Sequence, residues 1–504
     1  MKKDGIETVA AIDVGSNSIR MVIAQIKGDC SVEILEELNK PTDIGRDTFS
    51  TGRIEVETIY EVSDILKGYS NLMNDYKIKT YHAVATSGIR EAQNRQFVLE
   101  QIRIRTGILV DIISSAEERF YTYKVLKERL TDSNRIYDEG SLIIDIGSGG
   151  VEISVYQKGE LKFTNNIKAG SLRLREMLSD LEKLTLDFPS ILEEFIESKI
   201  YMFRPIIKKL ELKNFIVLGG EIKFLAKDFI KKSDFKQMYS LIREMSSEKI
   251  KNKYRIPEER AELLLPSVIL CNSFLNMTKA DIINIPVVSL RHGLLADIVD
   301  QRFDTTRKMD FLNDIESVVW NIAKKYKIDE KHSAYVEDLA LFIFDSTWRV
   351  HRMEEKDRLY IRVASILHDI GKYININNDD FYGYIIIKSE NIMGFSKREM
   401  NLIANIVRYH GEDNPNHQHE SYGELNYKDK ITIAKLSAIL KLAEGLDISH
   451  KQKIEKFEIT TSGKEIIFKY KTPADTLLEE WSFSKGVSFF EEVMGYRPVM
   501  RRKG

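Results

Sequence analysis

The sequence predicts an α/β protein: two similar α/β lobes, then an all-α segment, then a small α+β C-terminal segment. Three observations predict it. A glycine-turn hairpin occurs twice, short apolar strands alternate with helical stretches up to about residue 300, and beyond residue 311 the periodicity turns helical while histidine becomes frequent.

The repeat pairs residues 9–24 (VAAIDVGSNSIRMVIA) with 141–156 (SLIIDIGSGGVEISVY). Asp13 and Asp145, Gly15 and Gly147, and Ser16 and Ser148 keep one offset of 132 positions. Each unit reads as a strand, a tight Gly turn and a returning strand, with an acidic residue at the tip. Chance seldom places Asp, a β-branched residue and Gly-Ser between two apolar strands twice. The first lobe is expected over 1–137, with further strand-plus-loop units in YHAVATSGIREA (81–92) and LVDIISSAEERFYTYKVL (109–126). The second, over 138–300, holds FIVLGGEIKFLA (215–226) and ends in VVSLRHGLLADIV (287–299).

Polar residues 301–310 read as a connection. A helical domain follows over 311–450, carrying seven of the nine histidines: His332, His351, His368, His410, His417, His419 and His450. Within it Tyr335, Leu339, Phe342 and Trp348 fall near helical spacing. The last part, 451–504, holds a hairpin around Ser462-Gly463, a short helix at 475–494 and a basic tail.

Composition bounds the function. The 504 residues suggest about three domains at roughly 150 residues each. With 43% hydrophobic and 30% charged residues the chain is globular. Lys and Arg number 75 against 77 Asp and Glu, a net charge of −2, so no global basic field exists to capture duplex nucleic acid. Cys30 and Cys271 are far apart and lack CxxC spacing, which excludes a disulfide framework and a cysteine zinc site. Asp4, Glu7 and Asp13 interrupt any apolar signal region, and no apolar run approaches the ~18 residues of a membrane span. A soluble, cytoplasmic protein with no membrane partner is expected.

The Gly-Ser turns at 13–18 and 145–150 expose backbone N–H groups that suit phosphate oxygens, and glycine lets the backbone come close. Asp13 and Asp145 can hold Mg²⁺ or a water beside that phosphate. The bland alternative, tight structural turns, weakens when the two turns are a matched pair. Glu117 and Glu118 have a bland reading too, as first-turn carboxylates of a helix capped by Ser114 or Ser115.

In order, DVGSNSIRMVI, ATSGIREA, ISSAEERF, IIDIGSGGVEISV, VLGGEIKFLA and LRHGLL resemble the exopolyphosphatase and guanosine pentaphosphate phosphohydrolase family. That family belongs to the actin, Hsp70 and sugar-kinase superfold, so the resemblance implies two duplicated ribonuclease H-like lobes. It implies Glu118 as catalytic base, Asp145 and Glu152 as holders of Mg²⁺ or of the attacking water, and Asp13 facing them. It implies phosphate contacts from Asn17, Ser18, Thr86 and Arg90, beside the turn residues Gly15, Ser16, Gly147, Ser148, Gly149 and Gly150. The sequence departs from the pattern. Ser148 and Gly150 exchange small residues, Val151 replaces threonine, Ser115 replaces glycine, and Arg119 replaces alanine.

In the helical segment, His332, His368-Asp369 and Asp447 resemble the H…HD…D set of HD-type metal-dependent phosphohydrolases, with His410 as a further candidate ligand. A second divalent metal there is expected alongside Mg²⁺ in the cleft. Three readings stay open: a scaffold extending a polyphosphate channel, a second phosphohydrolase acting on nucleotides, and satisfied core histidines. His417 and His419 read as loop. The basic clusters Arg204-Lys208-Lys209, Lys231-Lys232-Lys236, Lys249-Lys251-Lys253-Arg255 and Arg497-Arg501-Arg502-Lys503 could guide a polyanion, or could each be a solvated face.

The function expected is Mg²⁺-assisted hydrolysis of terminal phosphoanhydride bonds in inorganic polyphosphate, in guanosine pentaphosphate, or in both. The rivals are a sugar or acetate kinase of the same superfold, a non-catalytic alarmone sensor, and nucleotidase action at His368-Asp369. Oligomeric state cannot be read from these residues, and a homodimer stays open.

Overall fold

The computed structural model describes residues 6–129, 139–158, 160–303, 305–454 and 456–502. The expected boundary between the lobes, 137/138, lies outside the described residues, as do Asp4 and Lys503. By contacts the chain divides into two units, Met1–Asp314 and Ile315–Gly504.

In the first unit, strands β1 (Glu7–Val14), β2 (Ser18–Ile26), β3 (Val32–Pro41), β4 (Thr80–Ala85) and β5 (Asp111–Ile112) form one sheet, ordered β3-β2-β1-β4-β5. A second sheet contains β6 (Ser141–Ile146), β7 (Val151–Gln157), β8 (Glu160–Ile167), β9 (Asn214–Gly219), β10 (Phe229–Lys231) and β11 (Ile282–Asn284). Its order is β10-β11-β9-β6-β7-β8. Apart from the extra edge strand β10, the two orders are the same. In both, the first two strands are an antiparallel hairpin, and the first pairs parallel with the fourth. The repeat in the sequence is a repeat of sheet topology.

Period-two alternation explains why the hairpin strands are so apolar. Ala10, Ile12 and Val14 of β1, with Ile19, Met21 and Ile23 of β2, enter the core of the first lobe. Val9 and Ala11, with Val22 and Ala24, point the other way, onto Ile113, Tyr121, Leu294 and Val299. A strand buried on both faces needs an apolar residue at nearly every position.

Five helices of the first lobe are α1 (Ile44–Thr51), α2 (Val56–Asp75), α3 (Ser87–Glu91), α4 (Arg95–Thr106) and α5 (Ser115–Arg129). The site also uses α6 (Ser171–Glu182) and α7 (Leu290–Arg302). Helix α5 follows the short strand β5, and α7 follows β11, the corresponding strand of the second lobe. These helices cross closely: a Cβ at Gly293 of α7 would be driven into the carbonyl of Tyr121 in α5. Beside the crossing, buried Lys124 of α5 reaches Asp297 at 2.6 Å and Asp300 at 2.9 Å.

The expected polar connection at 301–310 is largely helical. Helix α7 runs to Arg302, and α8 (Thr306–Lys325) starts four residues on. The second unit is helical up to Gly445: α9 (Glu330–Ser346), α10 (Glu355–Leu367), α11 (Lys397–Arg408) and α12 (Tyr427–Gly445) pack together, with a 3₁₀ segment at His368–Tyr373. Of the four residues read at helical spacing, Leu339 is buried, but Phe342 and Trp348 are exposed; the buried face of α9 runs through His332, Val336, Leu339, Ala340 and Ile343. Capping boxes at Glu354/Asp357 and Ser396/Glu399 fix the starts of α10 and α11.

Helix α13 (Leu477–Met494) packs on α12 and on a three-stranded sheet of β12 (Lys456–Ser462), β13 (Glu465–Lys471) and β14 (Arg497–Arg502). The hairpin at Ser462-Gly463 forms as expected, with Gly463 at φ +59°. The basic tail is instead the strand β14, parallel to β13. Among the described residues, no helix is long and apolar enough to cross a membrane.

Candidate active site

The two glycine turns open into one cleft of about 710 Å³ between the lobes. They are built alike. Gly15 N–H donates to the Ser18 carbonyl at 3.0 Å, and Gly147 N–H donates to the Gly150 carbonyl at 2.9 Å. All eleven residues expected to touch phosphate line this cleft: Asp13, Gly15, Ser16, Asn17, Ser18, Thr86, Arg90, Gly147, Ser148, Gly149 and Gly150. The turns also lie against their neighbours without side chains between them. A Cβ at Gly149 would collide with Ser87 of α3, so the second turn closes onto the first lobe through bare backbone.

Glu118 lies in the first turn of α5, which the sequence caps locally. Ser114 N–H donates to Glu117 at 2.8 Å, and Glu117 N–H donates to the Ser114 hydroxyl at 3.2 Å, a capping box. The cap belongs to Glu117, which leaves the Glu118 carboxylate to face the cleft, 31% exposed, 3.4 Å from Arg90 Nη1. Arg90 is fixed in turn, donating to the Ile113 carbonyl at 2.8 Å and to Ser115 Oγ at 3.3 Å. Ser115, at the position where the family pattern has glycine, thus anchors the arginine.

Asp145 and Glu152 oppose each other across the β6/β7 pair, as Asp13 opposes Arg20 across β1/β2. Burial raises all three carboxyls, Asp13 to about 6 and Asp145 and Glu152 to about 7. The charge of Glu118 pushes each further up, while Arg20 opposes this at Asp13 and Asp145, and Arg119 at Glu152.

These surroundings bear on a divalent cation. Asp13 Oδ1 is buried with no hydrogen-bond partner, and the Asp145 side chain has no hydrogen-bond or ion-pair partner among the described residues. Two carboxylates with open oxygens in the lining of one phosphate cradle fit a cation bound by protein and substrate together. Glu152 differs, since Arg119 and Asn166 donate to its two oxygens.

Several cleft residues were not singled out by the sequence. Arg20 sits two positions past the first turn, and Lys223 and Arg291 lie in motifs quoted for other reasons. Arg173 of α6 bridges the lobes, donating to the Gly149 carbonyl at 2.5 Å and pairing with Glu91 at 2.8 Å. Nothing in the local pattern marks Asn166.

In the second unit, His332, His368, Asp369 and His410 are buried and meet. His332 Nε2 and His368 Nε2 are 3.2 Å apart, and His368 Nε2 lies 3.4 Å from Asp369 Oδ1. Asp447 stands behind them, accepting from His332 Nδ1 at 2.8 Å and from Gln452. The groups whose ligand atoms converge are His332, Asp369 and His450, and His368, Asp369 and Glu444, which share Asp369. Glu444 and His450 are thus added, and Asp447 is in neither group. His410 Nε2 is 3.7 Å from Glu444. His417 and His419 are in a loop, where His419 stacks on Tyr409.

Residues 22–302 match the Ppx/GppA phosphatase family, and residues 316–483 match domain III of Ppx/GppA phosphatases. A guanosine-5'-triphosphate,3'-diphosphate pyrophosphatase of Photobacterium profundum is 21% identical over 446 residues, 86% of this chain and 85% of that protein. A bifunctional 3-dehydroquinate synthase/phosphatase of Fusobacterium nucleatum is 24% identical over 245 residues, 46% of this chain and 32% of that protein. The crystal structure of an exopolyphosphatase from Cytophaga hutchinsonii superposes with a TM-score of 0.52 at 19% identity, over 58% of this chain and 98% of that one. That likeness shows the fold, and Ppx/GppA phosphatases generally depend on a divalent metal. Matched along both its lobed and its helical parts, the chain belongs to the Ppx/GppA phosphatase family.

Proposed function

We propose that the cleft removes terminal phosphates from inorganic polyphosphate, from guanosine pentaphosphate, or from both, releasing orthophosphate. The observation that carries this reading is the meeting of Glu118 with both glycine turns around one cavity. Glu118, restrained by Arg90, orients a water in line with the leaving oxygen and accepts its proton. The turn N–H groups and Arg90 take up charge on the terminal phosphoryl group, in a site whose buried carboxylates mark it as poorly solvated. When bound, a divalent cation, Mg²⁺ in this reading, supplies further charge neutralisation on the phosphate oxygens; Asp13 and Asp145 are the residues with oxygens open to hold it. The names carried by the Photobacterium and Cytophaga relatives support the two substrates.

The deciding experiment is orthophosphate release from long-chain polyphosphate with Mg²⁺. Glu118→Gln is expected to lose roughly 10²- to 10⁴-fold, the usual worth of a general base, while His368→Ala/Asp369→Ala keeps the wild-type rate. Full activity in Glu118→Gln would remove the assignment. Stoichiometric ADP formation dependent on a sugar or carboxylic acid would instead favour the kinase reading.

A second reading concerns the helical unit. We read His332, His368, Asp369 and Asp447, with His410, as an HD-type divalent-metal site, Asp447 orienting the His332 ring; the convergence of ligand atoms on Asp369 supports it and adds Glu444 and His450. Metal analysis of the full chain against His368→Ala/Asp369→Ala tests it, and equal metal content in both would exclude it. We further read the chain as cytoplasmic, divided into 1–137, 138–300, 311–450 and 451–504, with neither duplex nucleic acid nor membrane as partner.

A further inference from the structure

Glu152 and Asp145 face each other across one strand pair, yet their surroundings assign them different work. Asp145 presents a carboxylate with no hydrogen-bond or ion-pair partner among the described residues. In Glu152, Oε2 accepts from Arg119 Nη1 and Oε1 accepts from Asn166 Nδ2. The Arg119 side chain is only 5% exposed and the Glu152 side chain 12%. Arg119 is one residue past Glu118 on α5 and is not among the residues that line the cleft, whereas Glu118, Glu152 and Asn166 are. The guanidinium therefore stands behind Glu152, with the cleft in front.

A carboxylate paired with a buried guanidinium has its countercharge already. Both of its oxygens already accept from held donors, and moving it onto a metal would break a buried charged hydrogen bond, which is strongly unfavourable. Two donors leave about half of the four lone-pair positions of a carboxylate open, enough to accept from a water. Asn166 on β8 and Arg119 on α5 each hold one oxygen of Glu152, so the carboxylate is restrained from two elements.

We propose that Arg119 and Asn166 withdraw Glu152 from the metal-ligand set and turn it into a fixed acceptor for the attacking water, with Arg119 as the positioning residue. The cation is then held by Asp13, Asp145 and substrate oxygens alone. The inference rests on the hydrolytic reading of the cleft for its kinetic half, but not for its binding half.

Binding is read without turnover, as Mn²⁺ titration of the full chain by electron paramagnetic resonance with an imido-bridged triphosphate present. Cations held elsewhere cancel in the comparison. Asp145→Asn is expected to lose one Mn²⁺ equivalent, while Glu152→Gln keeps the wild-type number with affinity unchanged within about twofold. In steady-state assays, Arg119→Ala is expected to lower kcat roughly tenfold or more with KM nearly unchanged, and Arg119→Lys to recover part of the loss. A general folding defect would not be rescued by lysine, nor confined to kcat. The proposal is overturned if Glu152→Gln loses Mn²⁺ as Asp145→Asn does, if Asp145→Asn loses none, or if Arg119→Ala turns over at the wild-type rate. Absence of hydrolysis in the wild type would remove the parent reading and leave the Mn²⁺ result standing.

Discussion

Asp13, Asp145 and Glu152 occupy a volume that burial makes hostile to three negative charges, with Glu118 adding a fourth. Their folded-state values are raised, so their stabilising contribution is complete below about pH 4, the unfolded range of carboxylates, and is lost as pH rises through 6 to 7. Metal-free protein should therefore melt at a lower temperature at pH 8 than at pH 6, which calorimetry in chelator will read. Adding Mg²⁺ at pH 8 should raise the melting temperature, because a cation bound only to the folded state relieves the same repulsion. Activity should show the complementary limb and fall as pH drops toward the acid side, since protonated carboxyls hold metal poorly and accept from water more weakly; the groups interact, so the limb belongs to the set. At this scale the sequence carried Asp13, Asp145 and Glu118 because each lies in a local motif. Arg119 was visible only as a departure from a pattern, and Asn166, 14 residues past its partner on another strand, had no local signature.

Helix α5 carries both Glu118, the proposed base, and the means of holding it in place. Its packing on α7 depends on Gly293, where any side chain meets the Tyr121 carbonyl. Gly293→Ala should cost about 1–3 kcal/mol by overpacking and lower kcat together with stability, as α5 moves and carries Glu118 with it. Denaturant melts and steady-state kinetics on the same preparation will check this. Lys124→Ala leaves Asp297 and Asp300 without their buried cation and should destabilise by about 3–5 kcal/mol. The glycine hairpins were legible as elements because turn and strand chemistry are local. Strand β14 was not: its pairing with β13 is parallel and spans the whole of α13, so RPVMRR read as a tail. The connection at 301–310 read as a link, and it holds the end of one helix and the start of another.

Over the whole molecule, the Cytophaga structure is covered over 98% of its own length by 58% of this chain, and contacts divide this chain into two units after Asp314. A truncated protein ending at residue 303 should stay folded and retain phosphate release from short-chain substrates, measured against the full chain under the same conditions. The two-lobe architecture was legible because duplication writes the same pattern twice, whereas the grouping of His332, Asp369 and His450 depends on helices that meet only in space.

The cradle is duplicated but the chemistry is not. Counting from Ser114 and Ser289, each just ahead of its helix, the place of Glu118 on α5 falls to Gly293 on α7, so at that place one of two corresponding helices has an acid and the other has none. A linear polyphosphate is the same read from either end, and so meets this half-symmetric pocket without a preferred orientation: with Glu118 as the proposed base, whichever terminus arrives beside it should be the one shortened. A ring of phosphates offers the cradle the same oxygens and no terminus, and should occupy the cleft as an inhibitor that is never consumed.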